Sequence, residues 1–216
     1  MQVRQNAQRA ASLVGQLLAF SRKQTLQPTT IDLTELLTDL DHLLQRLVSD
    51  DVTLKVDHGE NLGPAYLDPQ QLEQVIINLV VNARDAMPDG GDVIIRTENV
   101  HLRKPLKRDR AVIPQGDYVQ VQVQDHGTGI SADKAKLVFE PFYTTKRTGE
   151  GTGLGLSTAY GIVKQSGGFI FLDSEDGEGT TFTLLFPFTE EQSPVFKHNS
   201  KHSALNADVA GGTVLL

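Results

Sequence analysis

The chain has 216 residues, 39% of them hydrophobic and 22% charged, which is typical of a globular domain large enough to bury a core. Its net charge of −7, with no basic stripe along the sequence, argues against a nucleic-acid partner. The absence of cysteine excludes disulfides and thiolate metal sites, and no apolar run approaches the ~18 residues of a membrane span. We therefore expect a cytoplasmic domain.

Residues 1–27 predict one amphipathic helix that ends before Pro28, because the residue preceding a proline is pushed out of the helical region. Apolar residues recur at alternating spacings of four and three from Val3 to Leu17, and polar residues occupy the other face. No helix of matching length follows nearby. Two interpretations remain open: a helix docked on its own domain, or one half of a dimerising helical hairpin, which we favour.

Residues 28–189 alternate between helical and strand patterns. Asp32 is a predicted N-cap for a helix from Leu33 to about Val48, and Asp68-Pro69 starts another helix that ends near residue 87. A third helix is predicted at 154–166, and strands at 52–56, 93–100, 118–124, 169–172 and 180–186. The fold class is therefore α+β, with mostly antiparallel neighbouring strands and helices on one face.

Two segments of the chain show no regular pattern. The stretch between the second and third predicted strands contains proline and many charges, so we expect a long exposed loop. We interpret its basic run at 103–110 as a solvated hairpin loop. Residues 190–212 are polar and aperiodic, which predicts a flexible linker. Residues 213–216 are strand-like, and they are either the truncated start of a further domain or part of a disordered tail.

The helix that follows Pro69 carries a polar stripe. Asn78, Asn82 and Asp85 are spaced at i, i+4 and i+7 and share one face of an otherwise apolar helix. Such a stripe is costly unless it meets water or a polar ligand. A solvent-facing stripe explains any one of these residues, whereas a ligand explains all three together with the motifs that follow.

Asp125 and two nearby glycines end the third strand. The carboxylate can accept a hydrogen bond from an exocyclic amine such as that of adenine, and Gly127 and Gly129 let the backbone approach a planar base. Further on, three alternate glycines, Gly151, Gly153 and Gly155, precede a helix, where backbone N–H groups and the helix dipole favour an anion.

Cations and an amide are available for the rest of a nucleotide. Lys146, Arg147 and Arg84 can neutralise phosphates, and the Asn82 side-chain oxygen is suitable for Mg²⁺ shared with phosphate oxygens. The sequence has no GxxxxGK[ST] segment, which excludes a P-loop protein, and the glycine run lacks the HRD and DFG companions of protein kinases.

In this order and spacing the motifs resemble the catalytic ATP-binding domain of bacterial sensor histidine kinases, members of the GHKL superfamily with the Bergerat fold. The resemblance covers roughly residues 30–188. It implies a two-layer α/β sandwich in which Asn82 binds Mg²⁺, Asp125 binds adenine, and Thr180 or Thr181 reaches the adenine edge through water. Lys146 and Arg84 would hold phosphates beneath a lid at 139–152, with Asn78 and Lys146 as the catalytic residues. The other residues that the resemblance assigns to the nucleotide site are Asp85, Gly127, Gly129, Ile130, Phe142, Tyr143, Thr144, Thr145, Gly151, Thr152, Gly153, Leu154, Gly155 and Leu156.

More narrowly, the segments 17–24, 78–87 and 149–168 resemble hybrid histidine kinases of alphaproteobacteria. This resemblance identifies residues 1–27 as the second helix of a dimerisation and histidine-phosphotransfer hairpin, and 213–216 as the start of a receiver domain. It implies a homodimeric parent anchored in the inner membrane, whereas this chain alone could be monomeric. The implied partners are ATP and ADP, the parent's own hairpin and receiver, and a downstream histidine phosphotransfer protein in a phosphorelay.

The phospho-accepting histidine of that family is missing. None of the six histidines lies in an H-[ED]-x-x-N or H-D-F-N-N setting. Hydrolytic GHKL relatives use a glutamate as general base, and the matching position here is Asn78, whose amide cannot take a proton. We therefore expect the chain to bind ATP and Mg²⁺, to hydrolyse ATP slowly, and not to phosphorylate itself.

A second hypothesis is a regulatory module whose bound nucleotide, cyclic di-GMP or ADP, switches kinase and phosphatase output without chemistry. The resembled kinases are thought to bind cyclic di-GMP on this domain, and Tyr118 is a candidate contact at the start of a strand. A partly buried strand tyrosine is the more ordinary interpretation of that residue.

Overall fold

A computed structural model of the chain describes residues 27–109, 111–146 and 151–188. The predicted N-terminal helix, Arg147, the linker and the C-terminal strand lie outside these ranges. The elements in chain order are β1 Thr29–Ile31, α1 Leu33–Leu47, β2 Val52–Asp57, β3 Ala65–Leu67, α2 Pro69–Asp85, β4 Gly91–Leu102, β5 Leu106–Arg108, β6 Ala111–Ile113, β7 Gly116–Asp125, α3 Ala132–Ala135, α4 Gly155–Gln165, β8 Phe169–Glu175 and β9 Gly179–Pro187.

Five strands form the central sheet in the order β2-β4-β7-β9-β8. Strand β2 runs parallel to β4, and the other three pairs are antiparallel. The register places Val93, Asp125, Thr180 and Ser174 side by side on four neighbouring strands. The predicted α+β class is confirmed, and this row of residues defines the end of the sheet at which the candidate site lies.

Helices α1, α2 and α4 pack on one face of the sheet and form the main core with it. Both predicted N-caps are present: Asp32 accepts a hydrogen bond from Thr34 N–H at 2.7 Å, and Asp68 accepts one from Gln70 N–H at 3.0 Å. Such caps stabilise a helix by roughly 1 kcal/mol each. The alternating strand residues that face these helices, such as Val119, Val121 and Val123 of β7, are at most 1% exposed. The two-layer arrangement is thus confirmed.

The segment between β4 and β7 is exposed at residues 103–107, as predicted, but it is not a loop throughout. This segment forms a short hairpin, β5 and β6, that folds over the other face of the sheet. Ile113 is fully buried there against Phe171 and Leu185, and the Arg108 guanidinium lies 4.6 Å from the centre of the Phe171 ring. A three-residue strand is too short to show alternation, so the sequence carries no periodic signal for β5 and β6. The same limit applies to the small β1–β3 sheet.

No helix within the described ranges is both long and apolar enough to cross a membrane.

Candidate functional site

A cavity of about 730 Å³ opens between α2, the start of α4 and the ends of β7 and β9. It brings together most of the residues assigned to a nucleotide from the sequence. The predicted residues that line it are Asn78, Asn82, Arg84, Asp85, Asp125, Gly129, Ile130, Tyr143, Thr144, Thr145, Lys146, Gly151, Thr152, Gly153, Gly155, Leu156 and Thr180. Four others, Gly127, Phe142, Leu154 and Thr181, do not line it.

Asp125 lies at one end of the cavity and is 5% exposed. Its Oδ1 accepts a hydrogen bond from Gly127 N–H at 2.9 Å, and Thr180 N–H also donates to its carboxylate. Gly127 is therefore placed behind the carboxylate rather than in the cavity wall. Burial raises the pKa of Asp125 above its ordinary value of 3.8, against the opposing effect of these two donors.

Thr180 and Thr181 point to opposite sides of β9, because successive strand side chains alternate. Thr180 is 5% exposed and lines the cavity, whereas Thr181 does not line it and borders a depression along β8 and β9 that also includes Thr180 and Asp125. Of the two threonines left open by the sequence, the structure places Thr180 beside Asp125.

Gly129 closes the loop after β7 and adopts φ +66°. A Cβ at this position would lie 1.9 Å from the Glu175 carbonyl oxygen. The next residue, Ile130, donates its N–H to Ser174 Oγ at 2.8 Å. Glycine is thus required here for both backbone conformation and space.

The N-terminus of α4 forms the opposite end of the cavity. Gly155 is the first helical residue and lines the cavity, and no described side chain caps the helix start. The Asn78 side chain donates from Nδ2 to the Gly155 carbonyl oxygen at 3.2 Å and so joins α2 to this helix. Backbone N–H groups in the first turn of a helix have no intrahelical partner, so this end of the cavity favours an anion.

Lys146 bridges the lid segment and α2. Its Nζ is paired with the Asp85 carboxylate and lies 3.5 Å from Asn82 Oδ1. Both side chains of the pair are about a third exposed or less, at 32% for Lys146 and 28% for Asp85. Burial works to raise the pKa of Asp85, but Lys146 and Arg84 outweigh it and hold that pKa below its ordinary value.

Arg84 lines the cavity, but its guanidinium donors are directed elsewhere. Nη1 donates to the Leu47 carbonyl oxygen at 2.7 Å, at the C-terminal end of α1, and Nε donates to Asp85 at 2.9 Å. In this arrangement Arg84 ties α1 to α2 and orients Asp85. Lys146 is therefore better placed than Arg84 to meet a phosphate.

Phe142 joins the predicted lid segment to Gly153 through its backbone. Its N–H donates to the Gly153 carbonyl oxygen at 2.9 Å, while its side chain is 63% exposed. Gly153 has φ +66°, and a Cβ there would meet the Phe142 backbone at 2.4 Å. Leu154 is 5% exposed and packs inside, and its N–H donates to Thr152 Oγ1 at 3.3 Å.

Tyr118 does not line the cavity, and its side chain is buried, so it offers no exposed surface to a ligand. It is 4% exposed, its hydroxyl donates to the Pro114 carbonyl oxygen at 3.0 Å, and its ring contacts Phe169 edge-on. Its burial raises its pKa. The candidate dinucleotide contact is thus corrected: the buried strand tyrosine, which was the alternative, describes this residue.

Sequence reasoning missed several lining residues. They are Val81, Ala83, Ala86, Thr128, Lys134, Val138, Asp176 and Phe182. Val81 and Ala83 flank Asn82 on α2, and Phe182 lies two residues after Thr180 on β9, so the periodicity of these elements could have indicated them. Ser174 was also missed, although it occupies the core-facing position after Ile170 and Leu172 on an alternating strand.

The two site carboxylates are expected to titrate on opposite sides of 3.8. Because the folded-state pKa of Asp125 is raised, its contribution to stability is present at low pH and is lost as pH rises through that folded-state pKa. Because the folded-state pKa of Asp85 is lowered, ionised Asp85 stabilises the fold above its unfolded-state pKa. This stabilisation is lost as pH falls through the folded-state pKa. Carboxyl-carbon NMR titration of the ATP-free chain should resolve both. An Asp125 midpoint at or below that of Asp85 would contradict the burial argument.

Replacing Asp85 with asparagine is expected to tighten ATP binding by about threefold at low salt. The change frees Lys146 from its ion pair and removes a negative charge from the end of the cavity where we expect phosphates. Calorimetric titration with ATP measures it. Asp89→Asn, at an exposed turn residue just beyond α2, makes the same change in net charge and should leave the affinity unaltered. Weaker binding by Asp85→Asn would show that Asp85 positions Lys146 instead of competing for it.

Residues 67–190, more than half of the chain, match a protein family described as histidine kinase-, DNA gyrase B-, and HSP90-like ATPase. The chain belongs to this family. The ATP-binding domain that the motifs predicted is thus confirmed.

The whole chain aligns with the sensor kinase CckA of Brucella abortus (strain 2308) at 52% identity over 221 residues, which make up 23% of CckA. The chain thus spans about a quarter of the length of that relative. This similarity places it with the catalytic ATP-binding domains of sensor histidine kinases.

Solved structures of histidine kinases share the fold. The catalytic domain of ThkA has a TM-score of 0.57 and 26% identity, covering 75% of this chain and 96% of that domain. Full-length ShkA, solved in complex with AMPPNP, has a TM-score of 0.68 and 23% identity, covering 90% of this chain and 39% of ShkA. ThkA has also been solved in complex with the response regulator TrrA, with a TM-score of 0.63 and 22% identity, covering 87% of this chain and 49% of that one. The latter two likenesses concern the fold alone.

Proposed function

We propose that this domain binds ATP with its base at Asp125 and its phosphates between Lys146 and the start of α4, and donates the γ-phosphoryl group to a histidine. The acceptor would lie on a hairpin helix outside this sequence. The observation that carries the proposal is the polarity of the cavity. A buried acceptor lies at one end, a cation and an uncapped helix start lie at the other, and Asn78 takes the place of a water-activating acid.

Asn78 favours transfer over hydrolysis. Its side-chain Nδ2 is already committed to the Gly155 carbonyl oxygen, and an amide takes up no proton at neutral pH. The carboxylate paired with Lys146 belongs to Asp85, and its pairing with Lys146 and Arg84 lowers its pKa and keeps it a weak base. A nucleophile other than activated water must therefore come from the acceptor.

The transfer requires little covalent chemistry from this chain. The bond between the γ-phosphorus and its bridging oxygen breaks, a phosphorus–nitrogen bond forms to the imidazole, and ADP leaves. The imidazole proton passes to a base supplied with the acceptor. Lys146 and the backbone N–H groups of the α4 start would hold the phosphate oxygens, which is catalysis by positioning and charge stabilisation.

Asn82 is suited to help hold Mg²⁺. Its Oδ1 is a neutral hard oxygen at the phosphate end, 3.5 Å from Lys146 Nζ, and Mg²⁺ in phosphate sites commonly has only one or two protein ligands. When bound, the ion would neutralise phosphate charge.

The partners follow from the same proposal. A parent protein would supply the histidine hairpin and a receiver domain, and a histidine phosphotransfer protein would take the phosphoryl group onward. The 52% identity to the sensor kinase CckA, of which this chain spans about a quarter, supports a larger parent of this kind.

The test combines binding and transfer. With γ-labelled ATP and Mg²⁺, we expect calorimetric binding, no label on the chain, and turnover well below the ~10 per second of a typical enzyme. Adding a separately produced helical hairpin with an H-[ED]-x-x-N histidine should give label on that hairpin, and its His→Gln variant should stay unlabelled. Label on the chain itself, or fast hydrolysis, would contradict the proposal.

A further inference from the structure

Ser174 lies one strand away from Thr180 and makes three close polar contacts through a single hydroxyl group. Ile130 N–H donates to Ser174 Oγ at 2.8 Å, the Gly179 carbonyl oxygen lies 2.8 Å away, and Thr180 Oγ1 lies 3.0 Å away. The first partner can only donate and the second can only accept. The third, a hydroxyl, can do either.

The count of protons decides the direction of the third contact. A serine hydroxyl has one proton and two acceptor lone pairs. All three contacts are hydrogen bonds only if Ser174 donates to Gly179 and accepts from both Ile130 and Thr180. If Ser174 donated to Thr180 instead, its bond to the Gly179 carbonyl would be lost. The Thr180 proton is therefore held toward Ser174 and away from the cavity.

This arrangement leaves the base end of the cavity rich in acceptors. Thr180 Oγ1 keeps lone pairs for the cavity that the residue lines, and the neighbouring Asp125 carboxylate only accepts when ionised. The backbone N–H groups of Gly127 and Thr180 are already turned to that carboxylate. A ligand at this end must supply the donor.

We propose that Ser174 is a positioning residue that fixes the Thr180 hydroxyl as an acceptor, and so selects a purine with an exocyclic amine over one with a carbonyl in the same place. The inference rests on the proposed function, because it takes a purine nucleotide to bind at Asp125. A 6-oxo purine would set its oxygen against two acceptors. Without the Ser174 hydroxyl, the Thr180 proton can rotate toward the cavity and donate to that oxygen.

The test compares ATP with ITP, which carries a carbonyl in place of the 6-amine. Calorimetric Kd values for both, at one Mg²⁺ concentration, give a discrimination ratio. Ser174→Ala is expected to lower that ratio by about 10-fold, the value of one hydrogen bond. Ser174→Thr keeps a hydroxyl and should restore the ratio. Ser131→Ala is the matched control, because the Ser131 side chain makes no capping bond at the start of α3, and it should keep the wild-type ratio.

A double-mutant cycle separates positioning from a structural role. Thr180→Val should lower the ratio by itself, and Ser174→Ala added to it should change nothing further, since Ser174 acts through Thr180. A structural role would weaken ATP and ITP alike and leave the ratio unchanged. That outcome, or full additivity of the two changes, would overturn the inference.

Three further outcomes are distinguishable. If Ser174→Ala does not fold, Ser174→Cys has a similar shape with a weak donor and acceptor, and a ratio equal to wild type in that variant would equally overturn the inference. If the wild-type chain binds ATP but the Ser174 variants keep its ratio, the inference fails and the proposed function stands. If the wild type binds neither nucleotide, both fail.

Discussion

Replacing Asp125 with asparagine is expected to weaken ATP binding by about 100-fold, because a hydrogen bond to a charged group contributes roughly 1.5–3 kcal/mol. The carboxylate accepts from Gly127 N–H and Thr180 N–H on the protein side and still offers an acceptor to the base. An asparagine has one oxygen and one NH₂ group. Its NH₂ must face either a backbone N–H or the amine of adenine, and either contact sets donor against donor.

The control for this change is Asp117→Asn. Asp117 lies on the same strand as Asp125 but at its opposite end, where it is exposed and paired with His101. Calorimetry with ATP and Mg²⁺ should show unchanged affinity in that variant. An Asp125→Asn affinity within about threefold of the wild type would mean that the base does not bind at this carboxylate.

Replacing Gly129 with alanine is expected to destabilise the domain by roughly 3 kcal/mol and to abolish ATP binding. An L-residue at φ +66° costs about 1–2 kcal/mol, and the new Cβ would lie 1.9 Å from the Glu175 carbonyl oxygen, so the backbone must move. The loop that carries Ile130 would shift with it. The melting temperature should fall by roughly 10 °C for a domain of this size.

Two other glycines separate backbone strain from steric overlap as the cause of the destabilisation. Gly167 has φ +71° but open space where an added methyl group would lie, so Gly167→Ala tests backbone strain alone and should cost about 1 kcal/mol. Gly161 lies inside α4 with nothing within 4 Å and without a positive φ, so Gly161→Ala should be neutral or stabilise the helix by up to about 1 kcal/mol. The melting temperature should be lowest for Gly129→Ala, intermediate for Gly167→Ala and highest for Gly161→Ala. If Gly129→Ala had the same melting temperature as Gly167→Ala and still bound ATP, the steric argument would be wrong.

The elements with strong local signals could be predicted from the sequence. Helices α1 and α2 combine an aspartate N-cap with a 3.6-residue apolar repeat, and β7 alternates valine with glutamine over most of its length. Both signals arise from residues that are close in sequence, so they can be recognised from the sequence alone. The β5–β6 hairpin is too short to show a repeat, and what holds it in place is its packing on Phe171 and Leu185 together with the Arg108–Asp173 ion pair.

The candidate site, like the fold, could be predicted from the sequence only in part. The residue types and their order along the chain were enough to indicate an acceptor at one end and a helix start at the other. The pairing of Lys146 with Asp85 joins residues 61 positions apart, and Arg84 is directed to Leu47, 37 positions away. Such pairings depend on how elements pack, and no local pattern encodes them. The choice of Thr180 over Thr181 likewise needed the register of β9 against β7.

The central claim is that one nucleotide spans the cavity from Asp125 to the start of α4. Amide chemical-shift mapping on adding a non-hydrolysable ATP analogue with Mg²⁺ tests it most directly. We expect the largest shifts at 125–130, at Thr180 and at 151–156, with little change in the β5–β6 hairpin. Shifts confined to that hairpin and Tyr118, or absent from 125–130, would contradict the account.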